Sequence, residues 1–231
     1  MKFKSINNVV TILLVASFCL TIQAQPQTSF AQNGTQQQDL VDKARITFQA
    51  FMRDQTMTWL HENYSDARGL IIVPSQIKGG FFVGGSGGTA LLIARIPETG
   101  EWSQPGFYTV GSVSFGLQIG GEAAQMIMVV RTDRALTKLY TTSVKLGGDT
   151  SAAVGPVGAG AKAAVTADIV TFTRSKGAYV GASLEGSVIK IKHQWNEAYY
   201  GKSVQPVDIF VKRNVNNPGA QELIRAVSNA K

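Results

Sequence analysis

The stretch Phe81–Leu92, FFVGGSGGTALL, admits three structures, and the choice among them decides the fold. Gly84-Gly85-Ser86-Gly87-Gly88 fits the G-x-S-x-G of a nucleophilic serine on a strand-to-helix elbow. Gly85-Ser86-Gly87-Gly88-Thr89-Ala90 fits the G-x-G-x-x-A of a dinucleotide loop. Both motifs need a helix immediately afterwards, to aim the serine or to hold a pyrophosphate at its N-terminus. Thr89–Ile96, TALLIARI, instead alternates tolerably as a strand and runs into Pro97 and Gly100. The third reading is therefore preferred: a glycine-rich turn or bend between two strands, where missing side chains let backbone pass close to backbone.

The surroundings agree. From Gly69 to Gly121, 13 of 53 residues are glycine, and the segments between them are β-branched or aromatic. In Ser112–Gly120, SVSFGLQIG, Val113, Phe115, Leu117 and Ile119 point one way, and Ser112, Ser114, Gly116, Gln118 and Gly120 the other. Further strands are expected at 70–73, 81–84, 90–96, 125–131, 163–165, 169–174, 178–184 and 187–193. An amphipathic helix is expected from Asp39 to about Tyr64, where Leu40, Val41, Ala44, Phe48, Phe51 and Met52 recur at helical spacing. Thr132 or Asp133 caps a short helix through Tyr140, and Asn217 with Pro218 opens a C-terminal helix reaching Ala230. The expected fold is α+β: a strongly bent, glycine-rich antiparallel β-sheet or barrel-like core with an N-terminal amphipathic helix and a C-terminal helix.

Met1–Ala24 has the three parts of a secretory signal: Lys2 and Lys4 without a nearby acid, an apolar run Val9–Ile22, and small residues for cleavage after Ala24 or Ala31. The apolar run is too short to span a bilayer. The expected organisation is residues 1–31 as signal peptide, 32–38 as a flexible Gln-rich spacer, and 39–231 as a single domain. Seven glutamines fall between Gln23 and Gln38, a composition that buries little apolar surface. Cys19, the one cysteine, lies inside the signal, and the bulky Phe18 before it argues against lipid modification. No disulfide or cysteine-based metal site is expected in the mature chain. Two of the 22 basic residues, Lys2 and Lys4, leave with the signal, so 20 remain against 15 acids, a net charge of +5. That lean favours anionic partners, membrane surfaces included, and export argues against nucleic acid.

Catalytic chemistry is poorly supplied. His61 and His193 are the two histidines, so a histidine-rich metal site is not expected. Ser86, intervening acids and His193 do occur in the chain order of an α/β-hydrolase, but the mature chain offers one helix and two strands before the serine where that fold needs several strand-helix units. A small serine hydrolase using Ser86 and His193 stands as the enzyme alternative. For binding, Ile189 and Ile191 face one side of a strand while Lys190 and Lys192 face the other, with Arg174 and Lys176 nearby in sequence. The alternatives here are a solvated strand face and a patch for anionic headgroups.

Taken together, the ordered landmarks resemble the SYLF domain family. They run Ala67-Arg68-Gly69-Leu70 with Val73-Pro74, Gly79-Gly80-Phe81, the glycine run 84–88, Trp102-Ser103-Gln104-Pro105, Gly116-Leu117-Gln118-Ile119-Gly120 and Leu146-Gly147. They continue with Gly155-Pro156-Val157-Gly158, Arg174-Ser175-Lys176-Gly177, Gly181–Gly186 and Tyr199-Tyr200-Gly201, covering about Ser65 to Ile209. The resemblance implies a non-enzymatic domain that binds phospholipid, without a cofactor, in a family that includes yeast actin regulators carrying SH3 domains. The signal and the single domain suggest an exported bacterial member, periplasmic or associated with the cell envelope. Arg174, Lys176, Lys190 and Lys192, and after them Lys78, are the candidate contacts to anionic phospholipid or a membrane surface. An envelope protein-interaction module is the other non-enzymatic alternative.

Overall fold

The computed structural model describes residues 29–80, 83–115, 122–141, 143–158, 165–175, 178–179 and 186–230. In Leu70–Val73, Ala90–Ala94 and Met126–Val130 every residue is buried, not every second one. Strands that meet water on neither face have this character. The reason here is cover on both sides of one nine-stranded sheet. Its strands are β1 (Gly69–Gly80), β2 (Val83–Ala94), β3 (Gly106–Phe115), β4 (Glu122–Val130), β5 (Ser143–Lys145), β6 (Ala152–Val154), β7 (Ile169–Ser175), β8 (Ala178–Tyr179) and β9 (Val188–Ile191). They lie in the order β5-β9-β3-β2-β1-β4-β7-β6, with β8 also on β7, and the sheet curls into a half-barrel. The expected α+β architecture is present, with one difference: β6 runs parallel to β7, so the sheet is mixed.

Among the described residues six helices supply the cover: α1 (Ser29–Met52), α2 (Thr58–Asn63), α3 (Asp133–Leu139), α4 (His193–Tyr200), α5 (Pro206–Phe210) and α6 (Gln221–Ser228). Val41, Ala44, Phe48 and Phe51 of α1, with Leu60, Tyr199, Leu223 and Val227, pack on Leu70, Ile72, Leu91, Ile93, Ile127 and Val129. On the opposite face Ala135, Leu136 and Leu139 of α3, with Ile209 and Phe210 of α5, pack on Ile71, Val73, Leu92, Tyr108, Met128 and Val130. Each fully buried aliphatic or phenyl side chain in these layers stabilises the fold by about 1.5–3 kcal/mol. Among the described residues no helix is long and apolar enough to cross a membrane.

Several expectations shift. The expected Asp39–Tyr64 helix is two helices, broken where the Asp54 carboxylate accepts from the Thr56 amide (2.9 Å) and hydroxyl (2.6 Å), a side-chain turn that competes with helix. At its other end α1 starts at Ser29, so Gln32–Gln38, read as a spacer, is helical. Glutamine is a good helix former. Gln37 is buried, and Gln38 donates to the Gly219 carbonyl at 3.0 Å. The glycine run is not a turn: Gly84–Gly88 lies inside β2, bridged to β1 from Gly84↔Gly80 to Gly88↔Gln76 and to β3 from Gly84↔Ser114 to Gly88↔Val110. Phe81 and much of the expected strands 163–165 and 178–184 lie outside the described residues.

Thr132 is the cap of α3, its hydroxyl accepting from the Ala135 amide at 3.2 Å. The same hydroxyl donates to Asp168 at 2.7 Å. The Asp168 carboxylate also accepts from the Ser151 hydroxyl (2.6 Å) and amide (3.2 Å) and from Arg134 (2.8 Å). One buried carboxylate thus joins the start of β7, the cap of α3 and the chain entering β6. The Ser151 hydroxyl foremost, and then Thr132, the Ser151 amide and Arg134, outweigh the penalty of burial and hold its pKa at about 2.

Candidate functional site

Paired residues on neighbouring strands share a face, so registers show which side chains assemble. Ser75 pairs with Thr89, Thr89 with Thr109, Thr109 with Lys190, and Lys190 with Ser143. One row of polar residues therefore crosses five adjacent strands, with exposed Lys190 on the fourth and Ser143 at the edge. The next row outward pairs Gly87 with Gly111 and Gly111 with Val188. A Cβ built on Gly87 meets nothing within 4 Å. This face is the one that α1 and α4 cover nearer the strand ends, and here it lies open.

Lys192 joins the row from the start of α4. Its ammonium donates to Thr89 Oγ1 at 3.2 Å and stands 3.6 Å from the centroid of the Trp195 ring. Partial burial lowers its pKa below the ordinary lysine value. Among the described residues neither Lys190 nor Lys192 forms an ion pair. Beside this ammonium opens a cleft of about 430 Å³ between α1 and the sheet, lined by Asp39, Leu40, Lys43, Gly87, Thr89 and Trp195 among others. Lys190 and Lys192 lie together, as the alternation in the sequence anticipated.

Arg174 lies elsewhere. It is on β7, five strand spacings from Lys190 in the sheet order, a path of roughly 24 Å. Its Nε donates to Gln125 at 3.2 Å, Gln125 donates to Thr47 of α1 at 3.3 Å, and the guanidinium stands 5.4 Å from the Phe51 ring centroid. Arg174 ties β7, β4 and α1 together. Lys176 lies outside the described residues. The backbone of Lys78 is on β1, paired with Ser86 and Glu122.

The hydrolase alternative fails on the same registers. β2 continues through Ser86 to Ala94, so no helix follows the serine. Ser86 pairs with Ser112, four residues along β3 from Tyr108, whose partner is Ile191. His193, expected at a strand end, is the first residue of α4, beyond Ile191 on the far side. At about 3.3 Å per residue the two are separated by more than roughly 13 Å along the strands. Among the described residues no group of acids and histidines is arranged to hold a metal ion.

Trp195, Thr89, Thr109 and Lys43 were missed as site residues. Helix α4 was hidden because the alternation of Ile189, Lys190, Ile191 and Lys192 runs straight into it. It is fixed by buried Asn196, whose side chain accepts from the Phe107 amide (2.8 Å) and donates to the Phe107 carbonyl (3.3 Å), taking over where β9 stops pairing with β3.

Comparison with known proteins places this architecture. Residues 111–230, just over half the chain, match the family described as "Ysc84: Las17-binding protein actin regulator". The human SH3 domain-containing YSC84-like protein 1 is 33% identical over 149 residues, 62% of this chain and 43% of that protein. The mouse protein of the same name is 31% identical over 169 residues, 71% of this chain and 49% of its own length. Protein YSC84 of Saccharomyces cerevisiae is 28% identical over 170 residues, 71% of this chain and 36% of its own. The match thus spans less than half the length of each of these relatives. The chain belongs to the Ysc84 family, the SYLF family that its ordered glycine, Trp102 and Tyr199-Tyr200 landmarks resemble.

Proposed function

We propose that the protein is a non-enzymatic binder of anionic phospholipid, working at the cell envelope after export. The observation that carries the reading is the open sheet row on which Lys190 and Lys192 stand without a carboxylate partner among the described residues. A basic residue close to an anionic membrane contributes about 1 kcal/mol, so this pair with neighbouring Lys43 gives attachment that weakens with salt. Lys78 and Lys176 belong to the proposed set on sequence grounds. Arg174 has an internal role in it, since its guanidinium is engaged by Gln125 and Phe51. Export to the periplasm or envelope rests on the signal-like Met1–Ala24.

The test is cosedimentation of the chain lacking the signal-like Met1–Ala24 with liposomes of neutral lipid, with and without anionic lipid, at low and high salt. Selective, salt-sensitive pelleting with anionic liposomes is expected, reduced in Lys190→Gln/Lys192→Gln. Equal pelleting with both liposome types refutes the headgroup reading. The family description, which names Las17 binding and actin regulation, favours a second reading, an interaction module for a protein partner. Specific capture of an envelope protein in a pull-down, alongside a negative liposome result, supports it.

A further inference from the structure

The cleft beside Lys192 has a composition that diffuse surface attraction does not require. One wall is Trp195 with the Lys192 ammonium held over its ring, and the other is the α1 surface at Leu40 and Lys43. The floor is Gly87, Gly88 and Thr89 of β2, where Gly87 leaves open space in place of a side chain. Lys192 is partly withdrawn from water and has no carboxylate partner among the described residues. A partly buried ammonium whose contacts among the described residues are a hydroxyl and an aromatic face has room for an anionic partner. Asp39 also lines the cleft, one helical turn before Lys43, and its carboxylate repels an anion from that position.

From this geometry we propose that the cleft seats the phosphate ester of one lipid headgroup, between Lys192 and Lys43 and over the bare backbone of Gly87 and Gly88. This rests on the anionic-lipid reading and makes it more specific: a headgroup enters a defined site, with Leu40 and Trp195 flanking its glycerol end. The floor provides the test. A leucine at Gly87 occupies the cleft without changing charge, and its Cβ meets no neighbouring atom in a strand where side chains are well tolerated.

Gly87→Leu is expected to keep the far-UV circular dichroism and melting temperature of the parent while binding anionic vesicles on the order of tenfold more weakly, the loss of about one charge-assisted contact. Lys43→Gln, which leaves the sheet untouched, weakens binding in the same direction. Soluble glycerol 3-phosphate shifts the Trp195 emission of the parent, identified by its loss in Trp195→Phe, and does not do so in Gly87→Leu. If the parent prefers anionic vesicles and Gly87→Leu and Lys43→Gln bind them equally well, the cleft is overturned while surface attachment stands. If the parent shows no preference for anionic vesicles, both readings fall. Inorganic phosphate acting as strongly as glycerol 3-phosphate overturns the headgroup assignment in favour of a free phosphate ion.

Discussion

Replacing Asp168 with asparagine keeps the shape of a side chain that joins three elements and removes its charge. The carboxylate is almost fully buried and accepts from Ser151, Thr132 and Arg134. These partners lower its pKa from 3.8 to about 2. At about 1.4 kcal/mol per pKa unit the ionised form stabilises the folded chain by about 2 kcal/mol. Because the folded-state pKa is depressed, that stabilisation is fully present above pH 4 and is lost as pH falls towards 2. By pH 3 about half of it is left. Denaturant unfolding of the parent and Asp168→Asn at pH 7, 5 and 3 measures it as the gap between the two proteins. The gap should be about 2 kcal/mol or more at pH 7, the same at pH 5, and smaller by about 1 kcal/mol at pH 3. Unpaired amide hydrogens in the variant enlarge the gap at every pH without changing its slope. A gap that stays constant from pH 7 to pH 3 refutes the assignment of the charge as the stabilising element.

Three further outcomes come from neighbouring geometry. Gly155→Ala places a methyl group well inside van der Waals contact of the fully buried Phe172 ring, and should cost about 1–3 kcal/mol in denaturant unfolding. Asn196→Ala leaves the Phe107 amide without its partner at the start of β3, while the Phe107 carbonyl still accepts from the Lys192 amide; the loss should be about 1–3 kcal/mol, with a raised hydrogen-exchange rate at the Phe107 amide. Since burial depresses the Lys192 pKa, attachment to anionic vesicles should start to weaken on raising pH at a lower value than an ordinary lysine requires; Lys192→Arg should abolish that early loss.

The parts of the fold legible in sequence were those governed by a single local cause. Thr132 capped its helix because its hydroxyl reaches the otherwise unpaired first-turn amide of Ala135. The apolar runs around Ile71, Leu92 and Met128 declared strands, whereas the cover on both faces became evident only once the two helical layers were in place. The glycine run was harder, because glycine marks both turns and close strand packing, and β2 became a central strand through pairing with β1 and β3 that no local signal carries. Gln37 and Gln38 were misread for a related reason: composition measured their polarity, while a distant turn at Gly219 supplied a partner. Of the site, the Lys190 and Lys192 alternation was visible. Thr89, Thr109 and Lys43 reach it from other elements, and only the registers and the course of α1 bring them there.

The sheet is clad unevenly along its length, and this should divide the timescales on which it opens. Near Leu70–Val73, Leu91–Ala94 and Met126–Val130, helices pack on both faces, so amide exchange there should require global unfolding. Farther out, Gly79↔Gly85 and Gly80↔Gly84 pair backbone to backbone with no side chains to bury between them. Those amides should exchange through local openings long before the base does. The sheet would then behave as a hinged leaf, anchored at one end and able to flex at the other without loss of the fold.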